Sequence, residues 1–204
     1  MLSRTTTVSF QGIDTIKVTV EVQVASGLPA FKIVGLADKS VAESSERVRG
    51  ALTSMGLALP AKRITVNLAP ADVTKDGSHF DLPIAVGLLS AMGIIPPEEI
   101  ENYVVLGELG LGGEIAPVAG VLPAAMAANQ YEKGIICPKT QINPPTQKAL
   151  NKVGKFLVFG DFASTYSLYF LLRSSLCDGS IPCSIFFCNA LFSVFVFFII
   201  TFQI

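Results

Sequence analysis

Asn67-Leu68-Ala69-Pro70-Ala71-Asp72-Val73-Thr74-Lys75-Asp76-Gly77-Ser78-His79-Phe80-Asp81-Leu82-Pro83-Ile84-Ala85 is the stretch on which the fold turns. Residues 64–68 are β-rich and read as a strand. A polar loop follows. An apolar run over 81–92, with Gly93 after it, reads as a helix. A strand feeding a helix in this way is the building step of a sheet covered by helices.

The same pattern continues in both directions. Upstream, residues 8–13 and 16–25 are β-rich, with Val18, Val20, Val22 and Val24 at period two. Gly12-Ile13-Asp14 suits the turn between them, and 31–34 is a third short strand. Residues 40–55 read as an amphipathic helix, with Val41, Val48, Leu52 and Met55 opposite Glu43, Glu46, Arg47 and Arg49. Gly56 is its stop. Downstream, 104–106 and 114–117 flank a glycine-rich turn. Residues 119–129 form an alanine-rich helix, 134–137 a strand, 145–153 a helix and 156–159 a last strand. The fold class predicted is α/β, a sheet with covering helices.

The loop invites a catalytic reading, because Ser78-His79-x-Asp81 holds the residue types of a triad. Geometry argues against it. A nucleophile and its base must lie within hydrogen-bond reach, and neighbours in sequence usually point apart. The plainer expectation places Asp76 or Ser78 in the loop, Asp81 near the N-cap of the following helix, and His79 as a loop or groove side chain. Gly107-Glu108-Leu109-Gly110-Leu111-Gly112-Gly113-Glu114 is glycine-rich but lacks a Lys-Ser/Thr pair and a following helix, so it reads as a hairpin turn. No G-x-x-x-x-G-K-[ST] occurs anywhere, and Val34-Gly35-Leu36-Ala37-Asp38-Lys39-Ser40 has the Lys-Ser without the second glycine.

Composition narrows the classes further. The 204 residues are 50% hydrophobic with a net charge of -1, enough for a sizeable core and without a global basic field for nucleic acid. Lys62-Arg63 and Arg47/Arg49 are the basic pairs of note, and a solvated face is their expected role. Residues 1–9 have no apolar signal core. Cys137 stands apart from Cys177, Cys183 and Cys188, no C-x-x-C pair occurs, and His79 is the single histidine. A closed zinc site therefore lacks its ligands, and reduced thiols are the default.

After Lys155 the composition changes. Eleven of the 14 Phe lie beyond it, with Arg173 as the one basic residue, and 179–204 carries no charge. Residues 185–202 are apolar except for Asn189, Ser193 and Thr201, the minimum length of a membrane span. Three readings stand open: a C-terminal membrane helix, an oily element docked on the domain, or an end rewritten by frameshift and truncation. The abruptness of the change favours the third, and no Lys/Arg cluster flanks the run to orient a membrane helix.

Four segments together resemble the N-terminal domain of the ComM (YifB) family, the Mg-chelatase-subunit-I-like AAA+ proteins. They are Gly27-Leu28-Pro29-Ala30-Phe31-Lys32-Ile33-Val34-Gly35-Leu36-Ala37-Asp38, Glu43-Ser44-Ser45-Glu46-Arg47-Val48-Arg49, the stretch from Asn67 to Ala85, and Gly107-Glu108-Leu109-Gly110-Leu111-Gly112-Gly113-Glu114-Ile115. The resemblance covers residues 1–162. It implies a Lon-protease-domain-like, ribosomal-protein-S5-domain-2-like fold. It also implies a hexameric homo-oligomer driven by ATP, acting on DNA in branch migration during natural transformation.

The chain departs from that pattern at defined places. Lon-like proteases put a catalytic Ser shortly after Lys-Asp-Gly, where His79 stands here with Ser78 one place early. Their catalytic Lys falls where Leu122 stands. The family's motor, with Walker motifs, should follow the domain, where this chain has its uncharged tail. The expectation is a Lon-like domain over 1–160 and a divergent tail over 161–204, with no catalytic, cofactor-binding or metal-ligating residue and no cofactor. The chain is then a truncated relative without the ATPase module. DNA is a partner only in intact members. The expected location is cytoplasmic, or membrane-associated through 185–202. The alternatives are a divergent peptidase using Ser78 or His79, and a membrane-tethered adaptor.

Overall fold

The computed structural model describes residues 1–12 and 14–138, and the backbone of 156–159. The expected helix over 145–153 and the tail, with its apolar run over 185–202, lie outside the described residues.

In chain order the strands are β1 (Leu2–Gln11), β2 (Asp14–Ala25), β3 (Ala30–Val34) and β4 (Arg63–Ala69), with helix α1 (Lys39–Ser54) between β3 and β4. Helix α2 (Asp81–Ala91) and the short α3 (Pro97–Ile100) follow. Then come β5 (Tyr103–Val105), β6 (Glu108–Leu109), β7 (Ile115–Ala116), α4 (Val121–Gln130), β8 (Gly134–Pro138) and β9 (Phe156–Phe159). Seven strands form one sheet in the order β3-β4-β2-β1-β5-β8-β9, and β6 pairs with β7 as a separate hairpin. β2 is antiparallel to both β1 and β4. The remaining neighbours of the large sheet pair parallel. This is the α/β architecture expected from the alternating pattern.

Period-two alternation decides the faces. Val18, Val20 and Val22 are fully buried, as are Val66 and Leu68. They form one face with Thr5 and Thr7, which stand opposite Val20 and Val18 in the β1–β2 register. Helix α2 lies on that face. A Cβ added at Gly87 would come 2.9 Å from Val22 Cγ2 and 3.1 Å from Thr5 Oγ1, so the helix sits as close as a glycine permits. All residues of α2 are buried, which a helix apolar all round requires. The second face is covered by α4 at β1, β5 and β8, where Val8, Val104, Leu106, Val121, Ala124 and Ile135 share one core cluster.

One expectation is corrected. β1 begins at Leu2 rather than Val8. Its first half, Ser3-Arg4-Thr5-Thr6-Thr7, is polar and so gives no hydrophobic alternation, but β-branched threonine suits a strand. The short α3 is an addition to the expected elements; Pro97 at its start and two glutamates in its first turn are its signal.

Candidate functional site

Helix α1 presents Val41, Ser44, Val48, Ala51 and Leu52 inward. Asp38 caps it, its Oδ1 accepting from the Val41 N–H at 2.7 Å. Ser44 lies within the buried stripe and Arg47 at its flank, one turn later. Both reach the start of α2.

Asp81 is fully buried and receives four hydrogen bonds. Ser44 Oγ donates to Oδ1. Arg47 Nε donates to Oδ2 at 2.6 Å and Arg47 Nη2 to Oδ1 at 3.1 Å. The Leu109 N–H donates to Oδ2 at 3.2 Å. A carboxylate offers about four lone-pair sites, so Asp81 is saturated. Arg47 also donates to the Ser40 carbonyl at 2.9 Å. Its guanidinium is held above the usual arginine range chiefly by the hydrogen bond to Asp81, against the opposing effect of burial. The cluster ties α1, α2 and the β6–β7 hairpin at one point.

The expected capping role of Asp81 is therefore corrected. A 3₁₀ turn at Ser78–Phe80 runs straight into α2, so Phe80 already has helical backbone with φ -77 and ψ -13. Asp81 is the first helical residue and not the extended N-cap residue, and its side chain turns to α1. The backbone at this end is satisfied otherwise, by the Leu82 N–H donating to the Gly107 carbonyl at 2.9 Å. The solvated role expected of Arg47 is corrected with it.

His79 is also placed differently from expectation. It is buried, not a groove side chain, and lies between Phe10 and Phe80 with ring centroids 5.1 and 4.3 Å away. Its Nε2 donates to the Val8 carbonyl at 3.0 Å. Burial pushes its pKa below the ordinary histidine value, with the Val8 bond opposing. Ser78 Oγ donates to the Glu108 carboxylate. Ser78, His79 and Asp81 thus point to three different partners, as neighbours in sequence do, and form no triad. Lys75 is fully buried and its Nζ donates to the Pro70 carbonyl. Desolvation lowers its pKa. Among the described residues no lysine amine bonds Ser78, and Leu122 stands in α4.

The glycine-rich segment is a hairpin, as its glycines predict, closed by Gly110 N–H to Glu114 O at 2.9 Å. It brings Glu108 to Ser78 and the Leu109 N–H to Asp81. Burial pushes the Cys137 thiol up to about 12, so that sulfur is an inert core group. Among the described residues no cluster of three metal-ligating side chains occurs, and no helix is long and apolar enough to cross a membrane. The Arg47–Asp81 pair was missed because it spans 34 residues. Its one signal was a carboxylate at the head of an otherwise apolar segment, since a buried acid needs a partner.

The sequence matches a known family. Residues 20–141 match the family described as subunit ChlI of Mg-chelatase. The chain belongs to that family. It is 43% identical over 132 residues to competence protein ComM of Haemophilus influenzae, covering 65% of this chain and 26% of that protein. It is 42% identical over 125 residues to YifB of Salmonella typhimurium, covering 61% of this chain and 25% of that protein. Lon protease 2 of Bacillus subtilis is 31% identical over 139 residues, covering 60% of this chain and 24% of the protease. The chain spans about a quarter of the length of the curated relatives it matches. The ComM, Mg-chelatase-like and Lon-like relationships agree with the α/β fold.

Proposed function

We propose that residues 1–160 are a non-catalytic Lon-like domain of ComM type, an assembly module of a DNA branch-migration machine in natural transformation, with 161–204 as a divergent tail. The observation that carries the non-catalytic part is the saturation of Asp81. Its four donors leave it no free lone pair for proton transfer or for a metal. Ser78 donates to the Glu108 carboxylate, and among the described residues neither an imidazole nor an amine bonds its hydroxyl. The chain's sequence contains no phosphate loop with its lysine, so nucleotide hydrolysis belongs to another polypeptide segment in this reading. The ComM name and the hexameric form implied by the family resemblance support a role in a ring of identical copies.

The test is direct. The full chain, purified, is assayed for casein turnover and for binding of a fluorescent ATP analogue, and its mass in solution is measured. The proposal expects neither activity, and a mass above that of the monomer. Casein turnover that disappears in Ser78→Ala would replace it with a peptidase, and saturable nucleotide binding would also overturn it.

A further inference from the structure

β3 is the end strand of the sheet among the described residues. Its register on β4 is Ala30↔Arg63, Lys32↔Thr65 and Val34↔Asn67, and the Ala30 N–H donates to the Lys62 carbonyl at 3.4 Å. In parallel pairing, alternate residues give both backbone groups to the neighbour. Residues 30, 32 and 34 serve β4 in this way. Phe31 and Ile33 turn their N–H and C=O groups to the open side, a template for another strand.

We propose that the open edge of β3 takes an extended acidic peptide segment as an added strand, with an acidic side chain beside Lys32. Lys32 is exposed at the centre of β3. Arg63, exposed on β4, is on the same face of the sheet, because Lys32 pairs with Thr65 and Arg63 is two residues away. The nearby acid of that face, Glu21, is already occupied: Arg4 Nε donates to it at 3.0 Å and Asn67 Nδ2 at 3.1 Å. Lys32 and Arg63 have no ion-pair partner among the described residues. Leu28, 87% exposed just before Pro29 and β3, offers an apolar contact to a residue flanking the added strand.

The same lysine says what the occupant is not. Symmetric antiparallel pairing of two copies about the strand centre sets Lys32 against Lys32, and like charges directly opposite destabilise a sheet. The side chain that repels a second copy selects an acidic stranger. A phosphate backbone would use the charges but leave the Phe31 and Ile33 backbone groups unpaired, and Ala30, Lys32, Val34, Arg63, Thr65 and Asn67, the β3 and β4 residues of this face, offer no aromatic ring for a base to stack on. The inference is independent of the proposed function above.

The full chain is titrated into a fluorescein-labelled peptide of alternating Val and Glu, read by fluorescence anisotropy. An alternating Val and Lys peptide and an oligothymidine are titrated in parallel. Two variants complete the test. Ile33→Pro removes an N–H that faces the open edge and leaves the β4 ladder intact. Lys32→Glu reverses the charge. Circular dichroism checks that each remains folded. The acidic peptide binds saturably, each variant binds it at least tenfold more weakly, and the basic peptide does not bind. Absence of saturable binding overturns the proposal, as does binding unmoved by Ile33→Pro or tighter binding of oligothymidine. Should Ile33→Pro fail to fold, amide exchange on the wild-type chain decides. Peptide must slow exchange at Phe31 and Ile33, and unchanged exchange there overturns the proposal.

Discussion

Arg47 Nε lies 2.6 Å from Asp81 Oδ2, and the carboxylate it meets is fully buried. Removing one partner of such a pair costs about 3–5 kcal/mol, because the other charge is left buried alone. Arg47→Met should therefore destabilise by about that amount in urea. The double variant Arg47→Met, Asp81→Asn should recover part of the loss, since no uncompensated charge remains. Additive losses in the double variant would show that the two residues do not act as a pair.

Thr5 and Thr7 are buried between β1 and α2, and their hydroxyls have no hydrogen-bond partner among the described residues. An unpaired buried hydroxyl costs about 1–3 kcal/mol, so an isosteric apolar group should be better tolerated than threonine. Thr5→Val and Thr7→Val should each raise the urea midpoint, by about 1 kcal/mol in stability. A lowered midpoint in both would mean that the hydroxyls are satisfied in solution.

His79 should make stability fall in mild acid. Burial depresses its folded pKa below that of the unfolded chain. The neutral ring's contribution is therefore complete above the ordinary value of about 6.5 and is lost as pH falls through the lower folded value. The slope from one proton cannot exceed about 1.4 kcal/mol per pH unit. Urea melts at several pH values should show a steeper fall below about 6.5 for the wild type than for His79→Phe. Parallel curves would exonerate His79.

Two glycines should respond in opposite ways to alanine. Gly35 has φ +108, and an added Cβ would stand 2.2 Å from the Leu68 carbonyl oxygen. Backbone cannot yield as a side chain can, so Gly35→Ala should cost at least about 2 kcal/mol. Gly50 lies within α1, and its added Cβ meets Leu111 Cδ2 at 2.8 Å. Leu111 is 65% exposed at the hairpin tip and can swing away. Alanine gains about 1 kcal/mol over glycine in a helix interior, so Gly50→Ala should be neutral or stabilising. Equal losses at both sites in thermal melts would contradict the contrast.

The sequence by itself determined the elements whose signal is local. Val18, Val20 and Val22 alternate because one face of β2 meets a helix, and the period of two is visible in the chain. Val41, Val48 and Leu52 mark the buried stripe of α1 in the same way. The glycines of 107–113 mark a tight turn through local backbone geometry alone. The absence of a phosphate loop and of a lysine in α4 was equally legible, as was the family likeness. Tertiary structure decided the partners of the polar groups. Asp81 reads as a cap because its neighbours in sequence make a helix start there. It pairs instead with Ser44 and Arg47, which the folding of α1 against α2 brings to it from far along the chain. By its sequence context His79 reads as a loop or groove side chain, and Phe10 of β1 buries it. The threonines of β1 carry no hydrophobic alternation, and only the helix above them makes them interior. Periodicity reports which side of an element is apolar. Where a buried charge finds its counter-charge depends on contacts distant in sequence, which no local pattern encodes.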